Sequence, residues 1–192
     1  MKLLVLILLL PFGFYAQEWT KEELDKANTC AKIDELEDVE KEAVMYINLA
    51  RLFPEKFVEV ELADYWGPDK YEGYLKGSKY KQSLIDELNE REPVTALVYD
   101  ETLQEFASCF AKEQGANGHM GHKRKNCPKD NFAECCAYDM ETGRDIALQL
   151  LIDHNVADLG HRINCLNPNL TKIGISFQPH VKANFCAVLD LK

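Results

Sequence analysis

Between Val39 and Ala50 the apolar residues Val39, Ala43, Ile47 and Ala50 return three or four positions apart, a spacing that predicts a helix with one buried stripe. Pro54 interrupts that helix and can open a second one over 55–62, because a first turn does not use the N–H that proline lacks. Residues 64–80 hold several aromatic rings, glycines and a proline with no clean period. They predict an ordered loop held by ring burial, either a packed surface loop or a lip that stacks on a ligand. A short helix over 80–89 and a short extended piece after Pro93 come next.

Leu103, Phe106, Ala107 and Phe110 share one helical face over 101–114, with Gly115 as the expected stop. A polar loop over 116–131 leads to a buried strand over 131–138, then to a helix over 141–155 built on Ile146, Ala147, Leu150 and Leu151. Alternation over 172–177 and again over 185–191, joined by a polar link containing Pro179, predicts an antiparallel hairpin. Helices first and a hairpin last favour an α+β layer arrangement over alternating βαβ units.

Met1 and Lys2 precede an unbroken apolar run, Leu3 to Leu10, and a segment ending in Ala16, the form of a secretory leader over 1–16. That run is too short to span a bilayer, so an exported product without a stable membrane anchor is expected. Residues 17–38 are charged and read as a lead-in rather than core, and 39–192 as a single domain. The net charge of -10 argues against nucleic acid and anionic headgroups as partners. All 7 cysteines follow the leader, and in an oxidising compartment three bridges with one thiol left over are expected. Adjacent Cys135 and Cys136 should point to opposite faces of their strand.

His119 lies in the loop sequence Gly118-His119-Met120-Gly121-His122, and His161 in Leu159-Gly160-His161-Arg162-Ile163-Asn164. Imidazole is the commonest metal ligand and titrates near neutral pH. Glu134 sits in the apolar run 132–138, where a carboxylate needs a partner: either the histidines, or backbone N–H groups and an arginine with no ligand at all. Asp153 lies on the intervening helix. His122, His154 and His180 read as solvated.

These pieces together resemble the CAP superfamily (SCP domain), the group of cysteine-rich secretory and pathogenesis-related proteins, and most of all its compact bacterial secreted branch. The matching residues are Leu103 and Ala107 with Glu113-Gln114-Gly115, Gly118-His119-Met120-Gly121, Ala133-Glu134, Leu150-Leu151-Ile152-Asp153, the run Leu159 to Pro168, Lys172-Ile173-Gly174-Ile175 and Ala187-Val188-Leu189-Asp190. Upstream, Ile47-Asn48, Arg51, Pro54 and Phe57 resemble the domain's opening helix. The resemblance implies a three-layer α-β-α sandwich with a small antiparallel sheet and a cleft lined by His119, Glu134, Asp153 and His161. His119 and His161 are its metal ligands, with zinc or another divalent ion as the possible cofactor. Ala133, Cys135 and Leu150 stand where relatives usually carry Gly, Asn and Trp.

No serine or cysteine sits in a recognisable nucleophile motif. The sequence therefore reads first as a non-catalytic binding module for a small apolar ligand, peptide or protein. The alternative is a metal-assisted hydrolase with a carboxylate general base.

Overall fold

A computed structural model of the chain describes residues 17–192. The leader expected over 1–16 lies outside the described residues. The architecture is mixed α+β: seven α-helices and one four-stranded mixed sheet among the described residues. No helix among them is long and apolar enough to cross a membrane.

Helix α1 (Lys21–Ala27) opens on a capping box in which Thr20 and Glu23 satisfy each other's backbone N–H groups. The segment expected to be a charged lead-in is part of the core, because Ala27, Cys30 and Leu36 are buried against α2 (Asp38–Leu52). Their apolar surface is small and widely spaced, so the charge around them hides it. Of the stripe that the spacing predicts on α2, Ala43, Ile47 and Ala50 are buried and Val39, in the first turn, is half-buried, while Val44 joins the buried face. The helix ends at Phe53, and Pro54 opens α3 (Pro54–Phe57), which runs on as a π-helical turn, Val58–Leu62. The aromatic loop holds one 3-10 turn, Asp69–Tyr71, before α4 (Lys79–Asn89).

Strand β1 (Val98–Tyr99) leads into α5 (Glu101–Asn117), capped by the Asp100 carboxylate on the Leu103 N–H at 3.1 Å. The expected stop at Gly115 is not where α5 ends: Gly118 takes the left-handed conformation, φ +69°, and caps it. Gly115 serves packing instead. A Cβ there, or at Gly174 on β3 (Lys172–His180), would collide with backbone across the interface: the Pro179 carbonyl in the first case, Leu103 and Gln104 in the second. Two missing side chains let α5 lie close on β3.

Strand β2 (Ala133–Tyr138), helix α6 (Gly143–Ile152), helix α7 (Gly160–Leu166) and strand β4 (Asn184–Leu191) complete the chain. The sheet order is β1-β3-β4-β2, with β1 parallel to β3 and the other pairs antiparallel. The hairpin runs further than its alternation predicts, pairing through Pro179↔Phe185 to His180↔Asn184. Proline is tolerated because β1 reaches only Ile173, leaving β3 an edge strand beyond it.

Alternation sends Cys135, Ala137, Ile173, Ile175, Leu189 and Leu191 into a cluster with α2 and α6. Cys136 and Val188 go to a second cluster with Ala107, Phe110 and Ala111 of α5. Adjacent Cys135 and Cys136 thus do face opposite ways. The expectation of three bridges is not met: Cys109–Cys127 is the one disulfide among the described residues, and five thiols are free.

Candidate functional site

Glu134 and Asp190 are cross-strand neighbours on β2 and β4. Two carboxylates side by side under a loop would repel each other, and Arg124 lies between them. Its Nη2 donates to both Asp190 oxygens, at 2.9 and 2.8 Å, while Nε and Nη2 both donate to Glu134 Oε2, Nε at 2.8 Å. Nη1 donates to the Phe106 and Pro128 carbonyls, and the guanidinium packs 4.5 Å and 5.0 Å from the ring centres of Phe110 and Phe132. The loop carrying Arg124 is held by the Cys109–Cys127 bridge and by Glu113, whose carboxylate accepts from the N–H groups of Lys125 and Asn126. Burial pushes the Glu134 carboxyl up, but hydrogen bonds from His122 and Arg124 outweigh it and hold it below its ordinary value. At Asp190 burial wins over Arg124, and the carboxyl is raised to about 7.

The second oxygen of Glu134 orients an imidazole: Oε1 is 2.8 Å from His122 Nδ1. A matching pair stands opposite, with His161 Nδ1 2.8 Å from Asp153 Oδ1. Asp153 ends α6 in the left-handed region, φ +54°, rather than sitting within the helix as the sequence suggests. That turn lets its other oxygen accept the N–H groups of His161 and Arg162, at 3.0 and 3.4 Å, at the start of α7. The two rings lie 5.7 Å apart, centre to centre, and tilt by 38°. Neither Nε2 has a hydrogen-bond partner among the described residues.

Of the four residues singled out in the sequence, Glu134, Asp153 and His161 are gathered here, and His119 is not. His119 lines a separate concavity with Met120, Lys125 and Lys182, and its backbone oxygen accepts from His180 Nε2 at 3.1 Å. His122, solvent-exposed as expected, nevertheless supplies the facing imidazole through its contact with Glu134. The loop has no period to say which histidine meets Glu134. The one available signal was Arg124, the only arginine in that loop and the natural partner for a buried Glu134. His180, by contrast, is buried rather than solvated, and His154 bonds Ser78 Oγ at 2.8 Å between the rings of Tyr74 and Tyr80.

Beside His161 opens a cavity of about 540 Å³, walled by Tyr71, Tyr74, Tyr138, Met140, Leu150 and Val156. Tyr71 and Tyr74 come from the aromatic loop, whereas Trp66 turns away under the Lys81 ammonium, 3.7 Å above its ring. Two polar side chains of the wall, Tyr138 and Gln149, are tied to the protein itself. Tyr138 Oη donates to Gln114 and accepts from the Gly121 N–H, and Gln149 pairs with the Tyr138 backbone in both directions. Cys136 also lines the cavity, but burial, with the Glu134 charge adding to it, pushes its thiol far above the usual range, so no thiolate nucleophile is available there.

His122, Glu134 and Cys136 place donor atoms within 4.8 Å of one another, close enough to hold a metal ion. Both Glu134 oxygens already accept hydrogen bonds, from His122 and Arg124. His122 and His161 each have Nδ1 on a carboxylate, the outer-shell arrangement that metal-bound histidines use. Comparison of the sequence with family models and with curated proteins finds no match.

Proposed function

We propose that the chain is an exported, non-catalytic binding protein of the CAP type that takes a small apolar ligand in the cavity beside His161. The observation that carries the reading is that cavity: a concave apolar wall with few polar groups, adjoining a pair of oriented imidazoles. Helix α5 against one sheet face, with α2 and α6 against the other, supports a CAP-type α-β-α sandwich as the scaffold.

His122 and His161 would hold a divalent ion such as zinc through Nε2, and a bound ion would act as a Lewis acid on whatever oxygen or nitrogen approached it. The hydrolase reading rests on that pair, but it lacks a base. Glu134 is held by Arg124 and His122, and Asp153 by His161 and two backbone N–H groups. Glu134 and Asp153 orient the rings, and with both Nε2 atoms on an ion no carboxylate or imidazole nitrogen of the pair would remain to take a proton from an attacking nucleophile.

Titrating an apolar fluorophore such as anilinonaphthalene into the wild type and into Leu150→Arg tests the proposal. Saturable binding at one site, weakened at least about tenfold by a charge in the wall, is expected. Equal binding by both proteins would refute it.

A further inference from the structure

We propose that Cys135 and Cys165 are joined by a disulfide in the exported protein, a covalent staple between the strand that carries Glu134 and the helix that carries His161. Strand β2 and helix α7 pack directly on each other: the Cys135 sulfur lies 3.7 Å from the His161 carbonyl, and Asn164 Nδ2 donates to the Glu134 carbonyl at 3.4 Å. Cys135 and Cys165 are buried in the same core cluster, and the carbonyl that the Cys135 sulfur touches belongs to the residue one helical turn before Cys165. The other free cysteines are spoken for differently: Cys30 lies beside Thr29, Cys136 beside Gln114, and Cys186 against the Ala111 carbonyl. The pair bridges two elements rather than neighbours in sequence.

The staple adjoins the site. Cys135 follows Glu134 directly, and Cys165 lies one helical turn beyond His161. A bond between them fixes the element holding one oriented imidazole to the element that orients the other.

The oxidant is a small or protein disulfide, for which glutathione disulfide is the simplest case. A cysteine thiolate attacks it, forms a mixed disulfide and releases one glutathione thiolate; the second cysteine thiolate then attacks the mixed disulfide and releases the other. Two protein thiols give up two electrons and two protons, and one glutathione disulfide becomes two glutathione thiols. Because both sulfurs are sealed in the core, the exchange belongs to folding, before α7 closes on β2. Once made, the bond is shielded from reductants in the medium, unlike Cys109–Cys127, which lies on a loop nearer the surface.

The test uses the full chain, unfolded and reduced, then refolded in a glutathione redox buffer, alkylated and weighed. The proposal expects three alkylated cysteines and, after trypsin, peptide 130–144 linked to peptide 163–172, with fragmentation placing the bond at Cys135. Added reductant without denaturant should open Cys109–Cys127 first and leave the second bond intact. Refolded protein that carries Cys109–Cys127 and still alkylates at five cysteines overturns the proposal, as does a bond from Cys165 to Cys136 or Cys186.

Discussion

Arg124→Met removes the cation that two buried carboxylates share while keeping a side chain long enough to fill the slot between Phe110 and Phe132. The arginine is 4% exposed, Glu134 3% and Asp190 0%, so solvent cannot take over its role. Breaking a buried pair by removing one partner costs about 3–5 kcal/mol. For a domain of this size that corresponds to a melting temperature lower by roughly 6–20 °C. The loss should depend on pH with a definite sign. Asp190, raised in the folded protein to about 7, adds stability that is fully present below the ordinary carboxylate value and is lost as the pH rises through about 7. Glu134, held below its ordinary value, adds stability that is present above that value and is lost as the pH falls. Without Arg124 both carboxyls move up and take protons more readily when folded, so the deficit against the wild type should be larger at pH 8 than at pH 5. Urea unfolding followed by circular dichroism at the two pH values measures it. Adding Glu134→Gln and Asp190→Asn to the variant should recover most of the loss at pH 8. A deficit below about 1 kcal/mol at pH 8, equal at both pH values, would show that the ion triad is not what secures this edge of the sheet.

Zinc uptake, counted after dialysis near neutral pH, should fall at least about tenfold in His122→Ala and in His161→Ala and stay unchanged in His119→Ala. Because ligation needs neutral imidazole, the same binding should weaken on acidification, and a flat pH profile would remove the imidazoles as ligands. Gly115→Ala should destabilise by about 1–3 kcal/mol in urea unfolding, because its methyl group meets the Pro179 carbonyl; a neutral effect would mean that α5 can move away from β3 freely.

Elements with a strong internal period were legible in the chain: the buried stripe of α2, the apolar face of α6 and the terminal hairpin follow their patterns. What escaped was set by contacts between distant segments. Gly115 is a glycine because β3 passes over it, not because a helix ends there, and only the neighbouring strand reveals that. Asp153 looks like one more helical residue until α7 arrives to use its carboxylate. The buried Glu134 signals a need for partners and has two: an arginine, as one reading expects, and a histidine, which is His122 rather than His119 or His161. The choice of His122 over His119 depends on where the Cys109–Cys127 bridge and the Arg124 tether hold the loop, and nothing local in the polar run encodes it. Cys30 and Leu36 join the core although charged residues surround them in sequence.

The proposed apolar ligand would sit in the cavity walled by Tyr71, Tyr138 and Leu150, against His161. Nuclear magnetic resonance of the full chain titrated with anilinonaphthalene reads the location directly. The Leu150 methyl, Tyr71 and Tyr138 ring and His161 ring signals should move together and saturate, while those of His119 and Met120 stay in place. Shifts gathered around His119, Met120 and Lys182, with the Leu150 and His161 signals unmoved, would contradict it.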